Sequence, residues 1–399
     1  LSKKLDDIFT SVIHSRIFKN RELLRPDYIP DELPHREKQI TAIAKVLAPL
    51  LQDQRPSNMF LYGLTGTGKT AVAKYVLEGI KARKEVSGKI LTAYVNCRYE
   101  DTDYRVLAAL NEAIGIHIPF TGLATAEVYK RFLNGLDKKK VSMVVVLDEI
   151  DGLVKKCGDE LLYKLTRINT ELKNSKLCVI GITNDLKFTE FLSARVLSSL
   201  GEEEVVFPPY TAPELEDILL RRVEKAFRSG VLEDGVIQLC AALAAKEHGD
   251  ARRALELLRI AGEIAERNGQ DKVTIENVKQ AYKEIEKDRV IEAITSLPLH
   301  SKILLLSIYM LQLEMGRREA TTGEIYDTYK TFCEKIKIDP LTQRRIGDLI
   351  NELDTLGIIN VKLVSRGRYG RTKIIKIGVN ERSLREGLLS DEKISNLIK

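Results

Sequence analysis

The sequence predicts an α/β fold: a parallel sheet covered by helices on both faces, then a small helical domain, then a three-helix region closed by a β-hairpin. Three observations carry that prediction. Five short apolar runs, at 58–62, 90–96, 143–148, 177–183 and 204–207, alternate with helical patterns, as strands do in a parallel sheet. From 212 to about 288 the periodicity is helical, broken at Ser229-Gly230, His248-Gly249-Asp250 and Asn268-Gly269-Gln270. Beyond about 290, three helical segments precede two strand-like stretches. The expected domains are 1–210, 211–290 and 291–399.

Bulk properties agree. A chain of 399 residues with 44% hydrophobic and 30% charged side chains is globular, and too long for one ordinary core. No apolar stretch approaches a membrane span, and the start, Leu1-Ser2-Lys3-Lys4-Leu5-Asp6, is not a signal peptide. We therefore expect no membrane partner and a cytoplasmic location. The absent initiator Met suggests that a few residues have been trimmed. Cys97, Cys157, Cys178, Cys240 and Cys333 are isolated, which argues against structural zinc and a disulfide framework. The lack of Trp and the abundance of Lys, Glu, Arg and Ile fit a thermophilic source.

The first strand runs into Gly63-Leu64-Thr65-Gly66-Thr67-Gly68-Lys69-Thr70, and a helical pattern follows from Ala71. This is the phosphate-binding loop pattern G-x-x-x-x-G-K-[ST] in its strand–loop–helix context. The glycines let successive N–H groups turn toward one anion, and the helix N-terminus adds partial positive charge. Lys69 can neutralise the β- and γ-phosphates, and the Thr70 hydroxyl can ligate Mg²⁺. Thr65, Gly66, Thr67, Gly68, Lys69, Thr70 and Ala71 are thus candidate contacts to a nucleoside triphosphate. The third strand ends in Asp148-Glu149. Asp148 can hold the Mg²⁺ and Glu149 can deprotonate the attacking water. The fourth strand ends in Asn184, placed to position that water if its end faces the ligand crevice.

In the C-terminal third, Leu299–Leu313 is an apolar-rich helix and Thr321-Thr322-Gly323-Glu324 opens a second with a capping box. A third begins at Thr342, with Ile346, Leu349, Ile350, Leu353 and Leu356 as its buried stripe. Strand-like stretches at 358–364 and 372–379 follow. Three helices and a hairpin in that order describe a winged helix, in which Gln343, Arg344 and Arg345 are placed to meet duplex DNA. The hairpin from 358 to 378 holds six Lys and Arg and no acid, with Arg366, Arg368, Tyr369 and Arg371 at its tip, which suits a minor groove. Residues 295–399 carry 18 basic against 13 acidic side chains, a net of +5 within a chain total of +6. That asymmetry points to nucleic acid.

Together, the loop, the Asp-Glu strand end, the Asn-bearing strand and the helical domain resemble an AAA+ ATPase. In that superfamily Asn184 matches the sensor-1 position. Gly249-Asp250-Ala251-Arg252-Arg253-Ala254-Leu255 matches sensor 2, with Arg252 at the arginine position. The segments 25–37, 192–200 and Phe207-Pro208-Pro209-Tyr210 further resemble the archaeal origin-recognition and helicase-loading initiators. With the winged helix, the resemblance covers nearly the whole chain. It implies that Tyr28, Ile29, Pro30, Arg36 and Tyr210 belong to the nucleotide site, enclosing the adenine. It also implies that Arg195 lies in the arginine-finger region, although Ala194 stands where relatives usually have Pro. Whether Arg195 serves its own or a neighbour's nucleotide is left open. The segment 120–131 falls where this family carries a helical insertion that touches DNA.

The function so implied is an ATP-dependent replication initiator that binds double-stranded origin DNA and helps recruit or load the replicative helicase. ATP/ADP would act as a switch through slow Mg-dependent hydrolysis, and other initiator paralogues remain open as partners. The alternatives are a ring-forming AAA+ DNA motor such as a branch-migration helicase, and a non-enzymatic regulator with structural ADP.

Overall fold

The computed structural model describes residues 15–26, 28, 30–83, 88–200, 203–313, 320–365 and 371–398. The chain divides into two compact units, Leu1–Val278 and Lys279–Lys399. The boundary expected at 290/291 falls inside one continuous helix, Ile275–Ser296. It carries no glycine or proline to interrupt it.

The first unit is built on a five-stranded parallel sheet of order β2-β3-β4-β1-β5. The strands are β1 Met59–Gly63, β2 Ile90–Asn96, β3 Ser142–Asp148, β4 Lys176–Thr183 and β5 Glu203–Phe207. All five expected strands are present, with ends displaced by a residue or so. β3 is buried at every position because helices cover both faces. Alternation sorts its side chains: Val145 and Leu147 join Phe60, Tyr62 and Val179 in one core, while Val144 and Val146 join Met59, Leu61 and Ile180 in the other. Each such side chain contributes about 1.5–3 kcal/mol on burial.

The strand order positions the site. The central strands pair in register, Tyr62 beside Thr183 and Asp148 beside Ile182. The residues that follow β1, β3 and β4 therefore emerge side by side at the C-terminal edge of the sheet, where ligands bind open α/β sheets. After β5, the helices Ala212–Ala226, Val236–Lys246 and Ala251–Arg267 form the small helical domain.

In the second unit, helices Leu299–Leu313, Thr322–Lys335 and Gln343–Thr355 pack with an antiparallel sheet, β6 Ala320–Thr321, β7 Ile359–Ser365 and β8 Arg371–Ile377, in the order β6-β8-β7. The expected capping box forms: the Thr321 hydroxyl and N–H both donate to Glu324, at 2.7 and 2.9 Å. β6 was not anticipated, since two residues offer no alternation to detect. Two further helices, Glu381–Leu389 and Glu392–Ile398, were also missed. The expected stripe of the third helix is buried from Ile346 to Leu353, but Leu356 is 56% exposed. The last helical residue is Thr355, so Leu356 has already left the periodicity that would bury it.

Candidate functional site

The phosphate loop spans the end of β1 and the start of helix Lys69–Lys81. Gly66 and Gly68 both hold positive φ, 73° and 91°, where a side chain would be strained. At Gly66 space is also lacking: a Cβ would lie 1.7 Å from Asp250 Oδ1. Asp250 caps helix Ala251–Arg267 by accepting from the Arg252 and Arg253 N–H groups, and the Ala251 N–H donates to the Gly66 carbonyl at 3.2 Å. The helical domain thus docks its helix N-terminus directly on the loop.

Lys69 is only 5% exposed and donates to the Gly63 and Leu64 carbonyls and to Asn184 Oδ1, each at 2.8 Å. Burial pulls its ammonium down to about 8, against the opposing influence of Asp148. Thr70 Oγ1 donates to Asp148 Oδ2 at 2.6 Å, and the Tyr94 hydroxyl donates to the same oxygen at 2.8 Å. The Tyr94 hydroxyl is held above its ordinary value by burial and by Asp148. Glu149 caps helix Ile150–Cys157 from a left-handed conformation, φ 54° and ψ 42°. Left-handed backbone in a non-glycine residue costs about 1–3 kcal/mol. The Glu149 carboxylate lies 4.0 Å from Arg98 Nη1. The structure therefore brings Lys69, Thr70, Asp148, Glu149 and Asn184 to one sheet edge.

A cavity of about 620 Å³ opens beside the loop. Among the expected residues, Tyr28, Pro30, Gly66, Gly68, Thr70, Ala71, Tyr210 and Arg252 line it. Ile29 lies outside the described residues. Arg36 does not line the cavity. It is 2% exposed and donates to the Thr67, His35 and Pro208 carbonyls at 2.8, 2.9 and 2.7 Å, with its guanidinium 3.6 Å from the Tyr210 ring centre. Arg36 thus braces the loop from behind. Thr67 is buried and donates to the Leu64 carbonyl, while Thr65 is exposed at the loop tip.

The two arginines of the sensor-2 pattern separate cleanly. Arg252 faces the cavity, whereas Arg253 is buried against Glu247 at 3.2 Å. Arg195 lies on Glu160 at 3.0 Å and over the Tyr163 ring, outside the cavity lining. Sequence reasoning missed Tyr94, Lys74, Asp250 and Arg222. Lys74 stacks on the Tyr94 ring at 4.2 Å, and both line the cavity. Only Asp250 had a signal, as a helix-capping residue before a helical run.

On the second unit, Gln343 and Arg344 open the third helix exposed, with no protein partner among the described residues. Arg345 approaches Asp348 at 3.7 Å and Glu352 at 3.6 Å. Arg366, Arg368 and Tyr369 lie outside the described residues. Arg371 opens β8, and its backbone pairs with Ser365. No helix among the described residues is long and apolar enough to cross a membrane, and no cluster of three or more His, Cys, Asp or Glu suggests a metal site.

Fold and site define an AAA+ nucleotide-binding module with a lid, followed by a winged helix. Family models agree along the chain: an AAA domain over residues 52–187, a Cdc6 AAA+ ATPase-type lid domain over 216–283, and a CDC6 C-terminal winged helix domain over 292–387. An ORC1-type DNA replication protein of Sulfurisphaera tokodaii is 54% identical, over 100% of this chain and 99% of its own length. Another, from Thermococcus kodakarensis, is 54% identical over 99% of this chain and 96% of its own. The ORC1 protein of Aeropyrum pernix, solved in complex with DNA, superposes with a TM-score of 0.86 at 51% identity, covering 96% of this chain and 100% of that one. The chain belongs to the family of ORC1-type DNA replication proteins.

Proposed function

We propose that this chain is an ATP-regulated initiator that binds duplex DNA at replication origins and helps recruit or load the replicative helicase. The observation that carries the reading is the pairing of two surfaces in one chain. One unit holds an assembled phosphate loop, Asp148, Glu149 and Asn184 under a docked lid. The other presents Gln343 and Arg344, exposed and without a partner among the described residues, at the start of a winged-helix recognition helix. The DNA complex of the Aeropyrum pernix relative supports the second half.

In this reading Glu149 is the general base, Asn184 orients the attacking water, and Arg252 contacts the γ-phosphate from the lid. Arg195 is the arginine finger. The site fits Mg²⁺: the Thr70 hydroxyl and the Asp148 carboxylate converge within 2.6 Å, and hard oxygen donors suit that ion. When bound, Mg²⁺ supplies charge neutralisation at the β- and γ-phosphate oxygens. Arg252 and the Asp250 contact to Gly66 tie the lid to the phosphates, so exchange of ATP for ADP would alter lid position. Slow hydrolysis then serves as a switch. Gln343, Arg344, Arg345, Arg366, Arg368, Tyr369 and Arg371 form the proposed DNA surface.

Footprinting on genomic DNA of the source organism, with ATP and with ADP, tests the proposal. Protection confined to a few discrete loci is expected. Uniform protection, together with hexamers and rapid DNA-stimulated hydrolysis, would replace it with a ring-forming motor.

A further inference from the structure

The geometry points to Arg222 as a positioning residue for the nucleotide base: it fastens the N-terminal segment to the lid and thereby sets how fast nucleotide escapes. This deepens the nucleotide-site reading and rests on it. Part of the cavity lining beyond the phosphate loop comes from two elements. Leu23, Tyr28 and Pro30 come from the N-terminal segment, while Ile218 and Arg222 come from the lid helix Ala212–Ala226. Nothing covalent joins them locally.

Beside the cavity, Arg222 joins them. The residue is 9% exposed, and its guanidinium donates to the Leu23 carbonyl at 3.0 Å and the Tyr28 carbonyl at 3.4 Å. It also lies 4.7 Å from the centre of the Tyr28 ring. No acidic partner pairs with it among the described residues. A buried cation held only by carbonyls and an aromatic face is costly to separate from them, because separation leaves charge and carbonyls unsatisfied. Upstream, the Lys19 and Asn20 N–H groups donate to the Ala226 carbonyl at 2.8 and 3.1 Å and hold the start of the segment. Beside the cavity the remaining contacts, Arg221 to Glu32 at 2.9 Å and Lys225 to Asp31 at 3.4 Å, are exposed and contribute little. At the other end of the segment, Arg36 bonds the Thr67 carbonyl of the phosphate loop. The segment is therefore a strap, anchored to the loop by Arg36 and to the lid by Arg222. A base seated against Tyr28 can leave only when the strap or the lid moves.

The test uses the full-length chain and follows release of fluorescent ADP and ATP in a chase with unlabelled nucleotide. Arg222→Met keeps the aliphatic volume and removes the donors. It should speed release of both nucleotides about tenfold or more, the scale of losing hydrogen bonds from a charged buried donor. Affinity for inorganic pyrophosphate, which needs only the loop, should stay unchanged. Arg222→Lys, which retains a positive charge near the Tyr28 ring and one donor direction, should fall between. Unchanged release rates would overturn the proposal. So would an equal loss of pyrophosphate affinity, which would mark general damage to the site. If the Met variant does not fold, Arg222→Lys and Tyr28→Leu carry the same test, and wild-type release in both overturns it. Failure of the unsubstituted chain to bind nucleotide would instead sink the nucleotide-site reading itself.

Discussion

The two units use cationic side chains in opposite ways. In the first, Arg36, Lys69 and Arg222 are buried and spend their donors on backbone carbonyls. In the second, Arg344 stands exposed at a helix start with no protein partner among the described residues. The contrast follows from the ligands each surface suits. A nucleotide is small and always the same, so its site gains from rigid, desolvated groups fixed before binding. A duplex is long, hydrated and repetitive. A surface that meets it gains from charges still free to exchange water and counterions for phosphates and base edges. Substitutions in the first unit should therefore change chemistry or structure, and those in the second should change affinity and its salt dependence.

The largest expected effect lies in the first unit. Glu149→Gln should leave ATP binding intact and lower turnover by at least about a hundredfold, the contribution of a general base. Lys69→Ala should weaken nucleotide binding itself. Filter binding and single-turnover hydrolysis separate the two, and normal turnover in the Glu149 variant would refute the assignment. Arg36→Met comes next. It strands three carbonyls and the Tyr210 face, and should cost about 3 kcal/mol of local stability without removing any cavity-lining group. Hydrogen exchange along helix Lys69–Lys81 reports it as a loss of protection. Unchanged protection would mean that Arg36 contributes little bracing.

These residues also mark the limit of what sequence shows. Lys69, Thr70, Asp148 and Asn184 were legible because each sits at a fixed offset from a strand end, and strand ends of a parallel sheet must converge. The strands themselves were legible because both faces are buried, which leaves continuous apolar runs such as 143–148. Arg222 and Tyr94 were not. On an amphipathic helix, Arg222 beside Arg221 looks like solvated surface, and only tertiary packing decides which of the two is buried. The bracing role of Arg36 was hidden for the same reason: sequence resemblance put it at the nucleotide, while geometry puts it behind the loop. In the second unit the hairpin was legible from its turn and charge, but β6 and the last two helices were too short to show a period.

A smaller effect tests the join between loop and lid. Gly66→Ala would place a methyl group on Asp250 and strain a φ of 73°. The Asp250 carboxylate must give up its cap or the lid must shift, so ATP affinity should fall about tenfold, comparable to about 1–2 kcal/mol of left-handed strain. Calorimetric titration checks it, and wild-type affinity would mean that the lid yields at no cost.

The smallest expected effects lie in the second unit, where neighbouring arginines can be set against each other. Arg344 and Arg345 are both exposed near the start of the recognition helix, but Arg345 lies within 4 Å of Asp348 and Glu352. Those carboxylates already offset part of its charge and must be left behind before it can reach a base or phosphate. Arg344 carries no such cost. Arg344→Ala should therefore narrow the gap between origin and random duplex by about 1–3 kcal/mol, as loss of a bidentate base contact would. Arg345→Ala should change that gap by less than about 1 kcal/mol. Titrations at several salt concentrations read both quantities, since a lost phosphate contact also flattens the salt slope by about one unit. If Arg345 proves the more important, the exposed ion pairs do not restrain it in solution, and the distinction between engaged and free cations fails within the very unit that suggested it.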